Sequence, residues 1–225
     1  MIADNLHTVK QEIQESCALV SRNSGEVTLI AVTKSVDSSA TEELVKLGVN
    51  NLAENRVDKL LEKKESLSQY TQISWHLIGN LQRRKVKSII NHIDYFHALD
   101  SVRLAQEIQK RATHKINCFI EVNISGEESK HGIRPEELTA FVHELADLSN
   151  VSIVGLMTMA PFDADDETIR SIFASLKNLQ EEICSLKLKY APCTELSMGM
   201  SQDFPLAIIE GATYIRVGTA LFKKG

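Results

Sequence analysis

Leu29-Ile30-Ala31-Val32-Thr33-Lys34-Ser35 is the stretch on which the fold turns. From Thr28 to Thr33 the side chains are aliphatic or β-branched, the composition of a buried strand. Lys34 follows at once. Lysine is among the residues least often buried, and an ammonium in apolar surroundings escapes its cost by lowering its pKa. A neutral amine is what nucleophilic and Schiff-base lysines require. Lys34 therefore has two readings, a solvated strand end and a reactive amine, and the rest of the chain decides between them.

Outward from this stretch one pattern repeats. Upstream, Ile2, Leu6, Val9, Ile13, Cys17 and Val20 recur every three or four residues, so residues 2–22 read as an amphipathic helix ended by Ser24-Gly25. Downstream, Asp37-Ser38-Ser39 caps a helix that Gly48 stops. Further strands are predicted at 51–55, 73–78, 95–99, 117–124, 151–157, 194–197 and 214–217. Helices at 57–67, 82–91, 101–112, 135–148, 166–186 and 203–210 fall between them, with Asp100 as a cap and Pro135 at a first helical position.

Strands that alternate strictly with helices argue for a parallel sheet with helices outside. Eight such units in 225 residues predict an α/β fold, a closed (β/α)8 TIM barrel in a single domain over residues 1–225. An open doubly wound sheet competes, but no Gly-x-Gly-x-x-Gly follows the first strand. The eighth helix is nearly missing, and the extra N-terminal helix is expected to cover that gap.

Composition narrows the function. With 43% hydrophobic and 24% charged residues the chain is an ordinary globular protein, and its net charge of -5 gives no electrostatic footprint for nucleic acid or an anionic membrane. No apolar run has the length of a spanning helix, and Met1-Ile2-Ala3-Asp4-Asn5 does not read as a signal peptide. Cys17, Cys118, Cys184 and Cys193 lack metal-type spacing and suit free thiols in a reducing cytoplasm. No metal site is expected. The acidic run Asp163-Ala164-Asp165-Asp166-Glu167 reads as a solvated helix start rather than a metal loop.

In a barrel of this kind, chemistry sits at the C-terminal ends of the strands. Those ends collect Lys34, Asn55, His76, Asp100, Asn123, Met157-Thr158-Met159, Ser197-Met198-Gly199-Met200-Ser201 and Arg216-Val217-Gly218-Thr219. Loops after the last two strands are frequent phosphate sites, and Gly199, Ser201, Gly218 and Thr219 have the small, hydroxylated composition of one. Arg216 lies within the last strand, where a buried guanidinium needs an acceptor. That acceptor is either a carboxylate such as Glu195 or Glu121, or a ligand ring or phosphate. A strand-end lysine, an anion cradle and a buried arginine together suit pyridoxal phosphate, which needs an amine, an anion site and a partner for its ring nitrogen.

Seven stretches carry a resemblance. They are Ala31-Val32-Thr33-Lys34, Glu54-Asn55-Arg56, Trp75 to Gln82, Ser129-Lys130-His131-Gly132, Gly155 to Met159, Leu196 to Ser201 with Asp203, and Arg216 to Phe222. In this order, across nearly the whole chain, they resemble the pyridoxal-phosphate homeostasis protein family, the single-domain barrel relatives of alanine racemase. The resemblance implies pyridoxal 5'-phosphate held covalently on Lys34 as an aldimine. It implies that Ser201, Gly218 and Thr219 hold the phosphate, and that Ser197, Met198 and Met200 line its approach. It further implies that Arg216 meets the ring nitrogen, and that Asn55 and His76 lie near the ring and its phenolic oxygen. Two departures stand out: Ala53 where the family usually has Gly, and Arg83-Arg84 where it usually shows Asn.

An arginine at the ring nitrogen keeps that nitrogen unprotonated and makes the ring a poorer electron sink. Racemases of this fold class use a base from an extra domain or a partner subunit. A monomeric, cytoplasmic protein that binds the cofactor, limits its free aldehyde and delivers it to apoenzymes is therefore expected, rather than an enzyme. A slow amino-acid racemase or related pyridoxal enzyme is the runner-up, and a cofactor-free lysine aldolase a third reading. Lys130, in the polar loop 125–132, is expected to act as a second aldehyde acceptor during transfer.

Overall fold

The structure is a computed structural model and describes residues 1–128 and 131–224. Ser129 and Lys130 lie outside the described residues, and so does the transfer role expected of Lys130.

Eight parallel strands close in sequence order: β1 (Thr28–Val32), β2 (Asn51–Glu54), β3 (Ser74–Leu77), β4 (Tyr95–Leu99), β5 (Ile116–Glu121), β6 (Val151–Met157), β7 (Glu195–Ser197) and β8 (Tyr214–Val217). β8 pairs back onto β1 with Ile30 opposite Arg216, which seals the barrel. The helices lie between the strands: α2 (Ser38–Lys46), α3 (Val57–Ser66), α4 (Val86–Ile89), α5 (Val102–Arg111), α6 (Leu138–Glu144), α7 (Asp166–Ser185), α8 (Phe204–Ile209) and the single turn α9 (Thr219–Phe222). The alternation read from the sequence is the architecture observed.

The helix ahead of the barrel, α1 (Ile2–Leu19), lies across the seam that α9 is too short to cover. Its buried stripe is Ile2, Leu6, Val9, Ile13 and Cys17. Side chains clamp it down. Asn5 donates to the carbonyls of Leu221 and Lys223, and Arg22, just beyond the helix, donates to those of Ile208 and Ala212.

Several boundaries differ from expectation for local reasons. The helix expected over 82–91 breaks into a 3-10 turn (Arg83–Lys85), α4 and a second turn (Ile90–His92). Three cations at a helix N-terminus oppose its dipole. α5 is capped by Ser101, whose hydroxyl accepts from the Leu104 amide, and not by Asp100. β5 stops at Glu121, and the chain then bridges from Val122 to Ile133. Gly132 sits in that bridge at φ +119°, where a Cβ would come within 2.8 Å of the Asn123 nitrogen.

The barrel interior departs from the aliphatic layers usual in this fold. His76 on β3 stacks on Tyr95 of β4 with ring centroids 4.4 Å apart, and His97 of β4 stacks on Phe119 of β5, also at 4.4 Å. Tyr214 of β8 meets Phe119 edge-on at 5.3 Å. β3, β5 and β8 are not neighbours in the sheet, so these rings meet inside the lumen. Ile30, Val32 and Ala53 form a small apolar group apart from the main core, packed against Ile78 and Tyr214.

Candidate functional site

The C-terminal mouth is built strand by strand. Lys34 stands in the turn two residues past β1 and is exposed. The backbone beneath it is held by a buried cluster. Lys63 of α3 donates to the Thr33 carbonyl and to Glu54, while the Thr33 hydroxyl donates to Glu54 at 2.7 Å. Glu54 and Lys63 are an ion pair with side chains 0% and 5% exposed. The pair ties the end of β1 to the end of β2 and to α3, so the peptide that carries Lys34 is rigidly placed.

Across the mouth, the ends of β7 and β8 form a cradle. The amides of Gly218 and Ala220 both point at the Ser201 hydroxyl, 3.3 and 3.1 Å away. Gly199 sits at φ +98°, and a Cβ there would fall 2.7 Å from the Ala207 Cβ. A Cβ on Gly218 would press on the Val32 carbonyl at 3.1 Å. The loop is braced by Asp203, whose carboxylate accepts from the Met200 amide at 2.7 Å. Asp203 is buried, its second oxygen has no partner among the described residues, and burial raises its pKa.

Arg216 is 4% exposed. Its Nη1 donates to the Ser197 hydroxyl oxygen at 2.5 Å and its Nη2 to the Thr158 carbonyl at 3.2 Å. Burial lowers its pKa to about 10, opposed by the nearby charges of Asp203 and Glu121. It therefore remains a cation at neutral pH. Neither Glu195 nor Glu121 forms an ion pair with it among the described residues; its contacts are neutral oxygens.

A cavity of about 250 Å³ opens beside Arg216, lined by Ile78, Asn80, Glu121, Asn123, His131 and Thr158. Glu121 is 6% exposed, and one of its oxygens has no partner among the described residues. Burial first, and then the charge of Asp100, push its carboxyl pKa upward. Asp100, half buried beside His131, is raised by burial as well.

The predicted residues thus fall into two groups. Lys34, Asn55, Met200, Ser201, Gly218 and Thr219 come together around the mouth, with Arg216 beneath them; Asn55 and Thr219 are exposed. Met198 does not join them. Expected to line the cofactor's approach, it is 0% exposed and packs in the main apolar core, because Ser197 takes the lumen-facing register and the next residue must face away. Ser197 and His76 lie in the lumen and are fully buried, with the ring nitrogens of His76 engaged by His97 and Asn51. Glu54, Lys63 and Thr158 contribute to the site without having been singled out for it; the Glu54-Asn55-Arg56 stretch was the signal for the first.

Comparison with known proteins agrees with this geometry. The model of the family described as alanine racemase, N-terminal domain matches residues 5–224. A pyridoxal phosphate homeostasis protein of Aquifex aeolicus is 39% identical over 223 residues, 97% of this chain and 96% of that one. The structure of PipY of Synechococcus elongatus with pyridoxal phosphate bound has a TM-score of 0.83 at 35% identity, and the match covers 94% of this chain and 100% of that one. An alanine racemase of Clostridium difficile shares the fold alone, with a TM-score of 0.74 at 18% identity over 99% of this chain and 57% of that one. Fold and site define a barrel of the alanine racemase N-terminal class. Within that class, the chain belongs to the pyridoxal phosphate homeostasis protein family.

Proposed function

We propose that this protein binds pyridoxal phosphate at the barrel mouth through Lys34, acts as one domain in the cytoplasm, and holds and hands on the cofactor rather than turning over a substrate. The observation that carries the reading is the convergence of three unlike groups at one strand-end rim. Lys34 is an exposed amine on a rigid turn, the Gly218 and Ala220 amides converge on the Ser201 hydroxyl oxygen, and Arg216 is a buried cation bonded, among the described residues, to neutral oxygens. These groups fit the ligand. A Cβ on Gly218 would press on the Val32 carbonyl at 3.1 Å, so the backbone that carries the cradle amide is packed tightly against the end of β1. When bound, the cofactor supplies an aldehyde that condenses with a primary amine and releases one water.

The chain's own residues do the rest. Gly218, Thr219 and Ser201 hold the phosphate with amide and hydroxyl donors. Arg216 presents N–H groups to the ring nitrogen and, as a fixed cation, opposes its protonation. That arrangement weakens carbanion chemistry and favours storage. The relatives bear the name of homeostasis proteins, which supports the same reading. The purified protein incubated with pyridoxal phosphate is expected to absorb near 420 nm, and reduction with borohydride followed by peptide mapping is expected to label Lys34. A label found mainly on another lysine, or no visible band, overturns the assignment. Turnover of D- or L-alanine at a rate typical of enzymes would overturn the carrier role.

A further inference from the structure

Below the mouth, the lumen holds polar groups that cofactor binding alone does not use. Arg216 Nη1 lies 2.5 Å from Ser197 Oγ, Ser197 Oγ 2.8 Å from His97 Nδ1, His97 Nε2 2.9 Å from His76 Nδ1, and His76 Nε2 2.9 Å from Asn51 Oδ1. The series is unbroken. It starts on β8 at the mouth and ends at the first residue of β2. Ser197, His97 and His76 are 0% exposed.

The direction of the series is the same from either end. A guanidinium can only donate, so Ser197 Oγ accepts from Arg216, and its single proton goes to His97 Nδ1. Burial keeps both imidazoles neutral. A neutral His97 that accepts at Nδ1 carries its proton on Nε2 and donates to His76 Nδ1. His76 in turn carries its proton on Nε2 and donates to Asn51. Starting instead from the Asn51 carbonyl oxygen, an acceptor, gives the same two tautomers. Any other assignment leaves a buried donor or acceptor unpaired.

Arg216 needs such a support. Asp203 and Glu121 are both close enough to act on its charge, and each has a carboxyl oxygen without a partner among the described residues. A guanidinium free to turn would form a charge-assisted pair with one of them. The Ser197 hydroxyl and the Thr158 carbonyl hold it away from both. The series is not a proton wire, because its upper end is an arginine that does not release its proton at ordinary pH.

We propose that Ser197, His97, His76 and Asn51 are positioning residues, a one-way hydrogen-bond chain that fixes Arg216 for the ring nitrogen of the bound cofactor. The inference rests on the reading of the site given above; it adds His97 and Asn51, and gives Ser197 and His76, which the resemblance implied lie near the cofactor, a role through Arg216.

Two measurements test it. In the ligand-free protein, long-range proton–nitrogen NMR of the imidazoles is expected to show His76 and His97 both as the Nε2–H tautomer, unprotonated at pH 6. An Nδ1–H tautomer at either position, or an imidazolium at that pH, overturns the chain. The second measurement compares pyridoxal phosphate with its analogue carrying carbon in place of the ring nitrogen, on the parent and on Ser197→Ala. The variant is expected to bind pyridoxal phosphate about tenfold more weakly, about 1.4 kcal/mol, and the analogue as well as the parent does. Equal losses for both ligands make Ser197 a structural residue and overturn the proposal. A parent that binds both ligands equally overturns it too, while leaving the cofactor site intact. A parent that binds neither defeats the cofactor reading itself, and the NMR result still decides the chain. If Ser197→Ala does not fold, Asn51→Leu at the lower, half-exposed end takes its place with the same expectations.

Discussion

Two neutral histidines sealed in a barrel make a quantitative demand on acid stability. His76 faces Tyr95, Tyr214, His97 and Asn51, and His97 faces Phe119, Ser197 and Arg216. Burial lowers the pKa of His76 to about 3 and that of His97 well below its usual value, the latter helped by His76 and Arg216. The unfolded chain binds protons at both near pH 6.5, whereas the folded one does not, so stability is fully present above that pH and declines as pH falls through it. For two such groups, the loss between about pH 6 and about pH 5 is roughly 2 kcal/mol, on the order of 1 kcal/mol each. Against a total of about 5–15 kcal/mol this is readily measured. Glu121, Asp100 and Asp203, raised by burial, act in the opposite sense, favouring the folded state on the acid side. They are common to parent and variant and cancel in a comparison. Urea unfolding followed by the fluorescence of Trp75, the single tryptophan, at the two pH values is the assay. His97→Asn is expected to lose stability overall, yet its pH dependence should be smaller than the parent's by on the order of 1 kcal/mol per pH unit in this window. An unchanged slope would refute the idea that His97 is held neutral.

Three further outcomes follow from the geometry. Gly199→Ala places a Cβ 2.7 Å from that of Ala207 at a φ of +98°, and should cost about 1–3 kcal/mol in urea unfolding. Lys63→Met leaves Glu54 buried without its cation and should cost about 3–5 kcal/mol, while the double variant with Glu54→Gln recovers much of the loss; equal stability of single and double variants would contradict this. Lys34→Ala, at an exposed turn, should shift unfolding by less than about 0.5 kcal/mol while removing the borohydride label, which separates loss of the amine from loss of the fold.

Much of this was legible in the sequence, and for identifiable reasons. The longer strands are short runs rich in aliphatic and β-branched residues, and the helices between them carry their own period, so Thr28–Val32, Tyr95–Leu99, Val151–Met157 and Tyr214–Val217 emerge almost residue for residue. The mouth was legible because strand ends in such a barrel share one rim. What lay inside the lumen was not. Alternation tells which residues face inward on one strand, but the pairing of His97 on β4 with Ser197 on β7, 100 residues apart, depends on barrel closure. Met198 lies among residues expected at the site, although a one-residue step past Ser197 reverses the facing side and puts it in the apolar core. The Glu54–Lys63 pair was hidden because Lys63 sits in a charged helix whose polar pattern resembles a solvated face.

The seam covered by α1 also bears on how the chain acquires its shape. Asn5 bonds the Leu221 carbonyl across 216 residues of sequence, so α1, made before the barrel, can reach its final partners only when β8 and α9 have been made. Until then its stripe of Ile2, Leu6, Val9 and Ile13 has no cover. Contacts of such separation carry a large loop-closure cost before they return any stabilisation, which slows the final step of folding. The nascent barrel therefore exposes an apolar helix and an unpaired β1 edge throughout synthesis, the kind of surface that chaperones bind and that aggregates at high expression. Permuting the chain so that α1 follows α9 would let the helix find its seam as it emerges, while the β1 edge would still wait for β8.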